Sequence, residues 1–189
     1  AEKPDVRMLI NNAGYGRFGS FEAIGAEDSV GMIETNCCGL VLMTFATLPY
    51  MKAGSRILNT CSQSAFQPVP YMNIYASSKV FVLNHTRALR RELAPRGISV
   101  TCVCPGWVKT AFLDLAHQVE AQTITTYNEL VTPEQVAQHA LADAEKGREM
   151  SVFPNSTRGM RLACKLLPHG FIMWYWMKWQ GLGNFAKNK

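Results

Sequence analysis

Apolar positions in this chain alternate between short β-rich runs and longer stretches of helical period, and the alternation repeats. "VRMLIN" (Val6–Asn11), "SRILNTCS" (Ser55–Ser62) and "ISVTCVCP" (Ile98–Pro105) read as strands, the last apolar throughout, as in a strand covered on both faces. Helices are expected over Glu27–Met51, with Pro49 near the end, and over Tyr71–Ala94, where Pro95 and Gly97 stop the period. "TPEQVAQHALADAEKG" carries its own punctuation: Thr132 as N-cap, Pro133 in the first turn, Gln135 completing a capping box and Gly147 as terminator. "EMSVFP" reads as a last short strand, and Ala111–Leu130 as a mobile helix-and-loop region. Strands alternating with helices predict an α/β fold: a doubly wound parallel sheet in a three-layer α/β/α arrangement.

Residues 155–189 depart from this pattern. Three of the four tryptophans (Trp174, Trp176, Trp179) fall between Phe171 and Trp179, and Pro168 can open a helix there. The run is far shorter than the ~20 residues that span a bilayer. Aromatic groups flanked by Lys and Arg suit a membrane interface, and equally suit a helix packed on its own domain or on a second subunit. The run has no clean polar face, which favours packing. The chain thus divides into a domain over 1–154 and a hydrophobic–basic helical tail over 155–189 packed on it, with peripheral membrane contact through 168–179 as the alternative.

Charge sharpens that division. The net charge is +5, but residues 1–144 hold 11 Lys/Arg against 12 Asp/Glu, while residues 145–189 hold 8 against 2. No nucleic-acid motif accompanies the basic segment, so nucleic acid is not an expected partner. With 189 residues, 48% hydrophobic and 17% charged, the chain can bury the core of one globular domain. The N-terminal stretch "AEKPDVRMLINNAG" lacks the apolar run and small-residue cleavage site of a signal peptide, and a cytoplasmic location is expected, with membrane association through the tail as the variant. None of the six cysteines forms C-x-x-C, so buried free thiols are expected rather than disulfides or metal ligands. His85, His117, His139 and His169 show no metal spacing, and no metal is expected.

The candidate chemistry centres on Tyr75 and Lys79 in "YMNIYASSKVF". At i and i+4 of a helix they project from one face. A free phenol has a pKa near 10, and an ammonium a few ångströms away favours the phenolate and lowers that value. Tyr75 could then give a proton to a carbonyl oxygen or take one from an alcohol. Ser62, thirteen residues upstream at a strand end, can hydrogen-bond the same oxygen. Ser64, eleven residues upstream, fits the spacing less well, and Tyr71 meets Tyr75 rather than a lysine four residues on. The set lacks only a hydride source. Side chains cannot provide one, so a nicotinamide cofactor is implied.

Upstream stand "NNAG" at Asn11–Gly14 and Asn36 in "ETNCCGL"; downstream stands "PGWVKT", from Pro105. Taken in order with Ser62, Tyr75 and Lys79, these motifs resemble the short-chain dehydrogenase/reductase family from about residue 5 to residue 154. The resemblance implies Tyr75 as acid/base, Lys79 as the group that lowers its pKa and binds the cofactor ribose, and Ser62 as the carbonyl-orienting hydroxyl. It implies Asn36 as support for a water relay beneath the lysine. Asn12, Ala13 and Gly14 are similar to the turn that packs against the cofactor; a left-handed turn is the alternative reason for Gly14, and does not exclude cofactor contact. Pro105, Val108 and Thr110 resemble the segment that contacts the nicotinamide carboxamide and phosphates.

The family's Gly-rich Thr-Gly-x-x-x-Gly-x-Gly turn, which normally lies well before NNAG, has no counterpart upstream of residue 11. That turn offers N–H groups to the pyrophosphate, and the determinant that chooses NAD or NADP is missing with it. The chain therefore resembles the C-terminal two-thirds of a Rossmann-like cofactor domain, and by itself is expected to be inactive. The expected function of the whole is an NAD(P)-dependent oxidoreductase interconverting a small-molecule carbonyl and an alcohol, working as a homodimer or homotetramer. Gln63–Phe66, Trp107 and Ala111–Leu130 are expected to line a pocket whose apolar content points to an apolar substrate. The alternative is a non-catalytic module for subunit or membrane-surface contact, against which the intact Asn36, Ser62, Tyr75 and Lys79 set argues.

Overall fold

A computed structural model of the chain describes residues 4–121 and 123–183. Its sheet has four parallel strands: β1 (Met8–Asn11), β2 (Arg56–Thr60), β3 (Ser99–Pro105) and β6 (Met150–Phe153), in the order β1-β2-β3-β6. A separate two-stranded parallel ribbon joins β4 (Trp107–Val108) to β5 (Leu130–Val131). The helices are α1 (Phe21–Ile33), α2 (Leu40–Thr47), α3 (Asn73–Leu93), α4 (Ala111–Ala116), α5 (Pro133–Glu145), α6 (Asn155–Leu166) and α7 (His169–Trp179).

Strand periodicity sends alternate side chains to opposite layers. Leu9, Ile57 and Val100 pack with Met51, Leu93 and Ile98 on one face. Leu58 and Val103 meet Val136, Ala140 and Ala144 of α5 on the other. Helices cover both faces, as the alternation of the sequence predicts.

Several boundaries move. The long helix expected over Glu27–Met51 starts earlier and is built in pieces. Gly25, at φ +73°, interrupts α1, and a π-helical turn at Glu34–Gly39 separates it from α2. The helix expected from Tyr71 begins at Asn73, because Tyr71 sits in a left-handed turn at φ +64°. The capping box on α5 forms with both bonds: Gln135 N donates to Thr132 Oγ1 at 3.3 Å and Thr132 N donates to Gln135 Oε1 at 2.9 Å. In the stretch after α4, His117 bridges the Leu113 and Ile124 carbonyls at 2.7 Å each; Gln122, within the expected helix-and-loop region, lies outside the described residues.

The tail packs by one side only. Ile172, Trp176 and Met177 of α7 are buried, whereas Phe171, Trp174 and Tyr175 are exposed, so the expected burial of the aromatics holds for part of the run. Residues 184–189 of the tail lie outside the described residues. Five cysteines are buried and Cys38 is exposed. The Sγ atoms of Cys61, Cys102 and Cys104 lie within 4.8 Å of one another in the core. Cys102 and Cys104 share a strand face at i, i+2, and Cys61 follows Thr60, the partner of Val103; a search for C-x-x-C cannot find such a cluster.

A buried polar ladder ties α2, β1, β2 and α3 together. Asn11 Nδ2 donates to Thr44 Oγ1 (3.2 Å) and Asn59 Oδ1 (2.8 Å), and Asn59 Nδ2 donates to Thr86 Oγ1 (3.0 Å). Asn59 is fully buried. Asn59→Ala removes two of these bonds and should cost about 1–3 kcal/mol. The expected readout is a lower denaturant midpoint with an unchanged slope; an unmoved midpoint would show that the ladder adds nothing net.

Candidate active site

The C-terminal ends of β1, β2 and β3 and the turns that follow them border one cavity of about 620 Å³. Open α/β sheets bind ligands there, since loops diverge where strands end. Tyr75, Lys79 and Ser62 line this cavity together. So do Asn12 and Gly14 after β1, and Pro105, Val108 and Thr110 after β3. Ala13 is exposed and does not reach the lining, and Asn36 lies behind the wall. Gln63, Trp107 and Phe112 line the cavity as expected; Phe66 does not.

Tyr75 and Lys79 share the inward face of α3, and both are buried. Lys79 Nζ lies 5.6 Å from the centre of the Tyr75 ring and donates to the Thr60 carbonyl at 3.0 Å. Burial pushes the Tyr75 phenol above the usual tyrosine range, the Ser62 hydroxyl beside it acting in the opposite direction. The lowering of Tyr75 expected from Lys79 is not found in this geometry: the ammonium is turned to Thr60, and loss of hydration dominates. Burial also pushes the Lys79 ammonium down from the ordinary lysine range. A phenol held up in this way is fully protonated at neutral pH, which suits a proton donor.

Ser62 caps the short turn Gln63–Phe66, its Oγ accepting from Ser64 N at 3.2 Å. The cap fixes the hydroxyl at the cavity wall. Ser64 is buried too, and its hydroxyl has no partner among the described residues. Thr110 caps α4 through Phe112 N at 3.4 Å. Asn36 lies in the π-helical turn, and its amide is fully engaged. Oδ1 accepts from Tyr15 N at 3.0 Å, while Nδ2 donates to Tyr15 O at 2.9 Å and to Ser78 Oγ at 3.0 Å. The side chain is therefore a clamp on the turn after Gly14.

That clamp explains Gly14. Its φ is not positive, so the left-handed reading does not hold; crowding is the reason. A Cβ there would lie 2.8 Å from Asn36 Oδ1 and 3.3 Å from Lys79 Nζ. Gly16 is a second close approach, unforeseen from the sequence: its Cβ would meet the Tyr75 and Phe112 rings at 2.9 Å each. The alternation Gly14-x-Gly16 was the available signal.

The family profile described as short chain dehydrogenase matches residues 1–121. The chain is 37% identical over 116 residues to a 3-ketodihydrosphingosine reductase of Bacteroides thetaiotaomicron, covering 60% of this chain and 43% of that protein. It is 38% identical over 111 residues to sulfoacetaldehyde reductase 2 of Chromohalobacter salexigens, covering 57% and 44%. A short chain dehydrogenase of Burkholderia cenocepacia, solved in complex with NADP, superposes with a TM-score of 0.73 at 26% identity, over 86% of this chain and 67% of that one. The chain spans about half the length of the curated relatives it matches.

Gly14→Ala tests the close approach. The Asn36 amide cannot swing aside without breaking three hydrogen bonds, so the added methyl must displace the turn or the Lys79 head group. Displacements near 1 Å at a reacting centre cost about 100-fold in rate. The whole protein carrying Gly14→Ala should lose activity on that order while keeping its melting temperature within a few degrees; full activity would show that the crowding is without consequence.

Proposed function

The chain belongs to the short-chain dehydrogenase family, and on that premise we propose that the protein it comes from is an NAD(P)-dependent oxidoreductase interconverting a carbonyl and an alcohol. The observation that carries this reading is that Tyr75, Lys79 and Ser62 line one cavity together with Pro105, Val108 and Thr110. Tyr75 acts as the acid: its proton passes to the carbonyl oxygen as the carbonyl becomes an alcohol, and returns in the reverse direction. Ser62 holds that oxygen within reach of the phenol. Lys79 faces the same cavity from beneath the Tyr75 ring, placed to hold a ribose hydroxyl and to favour the phenolate once a proton has left. The Asn36 amide is committed to Tyr15 and Ser78, so a water relay under Lys79 would run through main-chain carbonyls of the π-helical turn rather than through this side chain.

The residues present fit a nicotinamide cofactor. Gly14 keeps the turn after β1 free of a side chain beside the Lys79 ammonium, and Asn12 and Thr110 add polar groups to the same lining. When bound, NADP or NAD supplies or accepts the hydride that no side chain can provide. Pro105, Val108 and Thr110 would hold its nicotinamide end. Support for the cofactor class comes from related structures, among them short-chain dehydrogenases solved with NADPH or NADP.

A homo-oligomeric state is part of this reading. Val30, Ile33, Leu42, Met43 and Phe45 stand exposed along the α1–α2 segment, and Phe81 of α3 is exposed as well. A second copy packed on this segment would bury these side chains.

Two outcomes test the proposal. Tyr75→Phe in the whole protein keeps the ring and removes the proton; turnover should fall by about 10²–10⁴-fold with cofactor affinity retained. A variant keeping a tenth or more of the wild-type rate would remove Tyr75 from the acid role. In the cofactor-free protein, ultraviolet phenolate absorbance compared between wild type and Tyr75→Phe should show Tyr75 ionising above the ordinary value near 10, because burial raises it. Phenolate from Tyr75 below that value would show that Lys79, not burial, sets its titration.

A further inference from the structure

Helix α7 is apolar on two sides, and the two sides face different surroundings. Its inner side carries Ile172, Trp176 and Met177, all buried, the last two in the cluster that contains Tyr75 and Trp107. Trp176 Nε1 donates to the Pro70 carbonyl at 3.1 Å, and Trp176 lines the cavity, as does Met160 of α6. Just past the helix, Gln180 Oε1 accepts from Thr125 N and Thr126 N at 3.1 Å each, and its Nε2 donates to Thr126 O at 2.9 Å. The inner side is thus anchored to the walls of the site.

The outer side is bare. Phe171, Trp174 and Tyr175, at i, i+3 and i+4, are 51%, 44% and 57% exposed. Leu162, Leu166 and Leu167 lead up to them, also exposed, with Leu166 at 74%. Basic groups accompany this row: Arg161 and Lys165 on α6, and Lys178, whose ammonium lies 5.3 Å over the Trp174 ring; Arg158 is turned to the Val152 carbonyl and His139. No Asp or Glu occurs anywhere after Glu149. Apolar and aromatic side chains beside cations, with no acid of their own and only Glu129 brought to the start of α6 through Ser156, make a surface complementary to an anionic interface with an apolar interior.

We infer that the outer face of α6–α7 is a monotopic docking surface for an anionic lipid bilayer, and that the cavity on the other side of α7 takes an apolar carbonyl or alcohol carried in that membrane. The second half rests on the oxidoreductase reading; the first does not. A second copy of the chain is the weaker occupant. A two-fold contact sets a face against its own image, which would bring Lys165 and Lys178 towards other cations with no carboxylate in the segment to pair with. Lipid phosphates and carboxylates provide the missing charge. One short helix then does two jobs: its outer aromatics set the depth of docking, and its inner Trp176 separates the bilayer surface from the cavity that holds Tyr75.

The test is co-sedimentation of the whole protein with vesicles of phosphatidylcholine plus phosphatidylserine, against phosphatidylcholine alone. Binding to the anionic vesicles is expected, weakening with added salt. Phe171→Ser, Trp174→Ser and Tyr175→Ser combined should weaken it by at least about tenfold. Lys165→Glu with Lys178→Glu, which touches no buried group, should weaken it by a similar factor or more, given about fivefold per basic residue lost. A wild-type protein that does not bind anionic vesicles overturns the docking, as does binding unaffected by both variants; a triple variant that loses oligomeric state instead assigns the face to a subunit contact and overturns it too. The substrate half has its own readout. The wild type should turn over a long-chain ketone embedded in anionic vesicles at least about tenfold faster than the triple variant does, while both reduce a short soluble aldehyde equally. Vesicle binding without that difference removes the membrane-borne substrate. Absence of any reductase activity in a protein that still docks removes the oxidoreductase reading alone.

Discussion

A side chain on Gly14 would crowd the point where three parts of the site meet. The turn after β1, the π-helical turn that carries Asn36 and the end of the Lys79 side chain converge there, and a methyl would fall 2.8 Å from one and 3.3 Å from the other. The rest of the site depends on this packing. Because the turn lies so close, the Asn36 amide can hold both main-chain groups of Tyr15. Because Asn36 is held in turn by Ser78, which follows Tyr75 and precedes Lys79 on α3, the clamp also fixes the rotation of that helix. Ser78 Oγ donates to the Tyr75 carbonyl at 2.7 Å, closing the link from the turn to Tyr75. The ring of Tyr75 then rests against Gly16, where a second missing Cβ gives it room.

Burial does more to the chemistry than charge does. Tyr75 and Lys79 are displaced in opposite directions, the phenol up and the ammonium down, and in both cases loss of hydration is the largest cause. Each shift favours the uncharged form, as expected of groups withdrawn from water before any charged partner is brought close. The protonated phenol is the form that can act as an acid. Lys79 shares its charge with the Thr60 carbonyl at the end of β2, so the strand end that places Ser62 also orients the lysine.

Much of this was legible in the sequence because it rests on local rules. Alternating strands and helices, the Thr132–Gln135 capping box and the i, i+4 pair at Tyr75 and Lys79 follow from periodicities of two and 3.6 and from helix-end chemistry. What escaped the sequence depends on contacts between distant segments. The π-helical turn at Glu34–Gly39 carries no composition signature, and it alone aims Asn36 at Tyr15. Gly16 is explained only by Tyr75 and Phe112, far along the chain. The Cys61, Cys102 and Cys104 cluster needs the register of two strands, and the β4–β5 ribbon is too short to announce itself. The spacing of Lys79 from Tyr75 suggests a group that lowers the phenol, but spacing does not reveal the Thr60 carbonyl that turns the ammonium away.

The tail shows why composition alone leaves two readings open. A helix that is apolar all round satisfies any partner in principle, and the sequence of α7 does not say which side is covered. The structure divides it by what is within reach. Trp176 has a carbonyl acceptor at Pro70 for its indole N–H, and Gln180 has the main chain of Thr125 and Thr126, so that side is bound by directional bonds as well as by burial. Trp174 meets the Phe171 ring at 5.8 Å and the Lys178 ammonium 5.3 Å over its face, a cation–π contact on the outer side of the helix. A buried wall and a bare outer row on one short helix tie the position of the cavity to whatever the outer row meets. Any force that draws Phe171, Trp174 and Tyr175 outward must act through the same turns that seat Trp176 beside Tyr75.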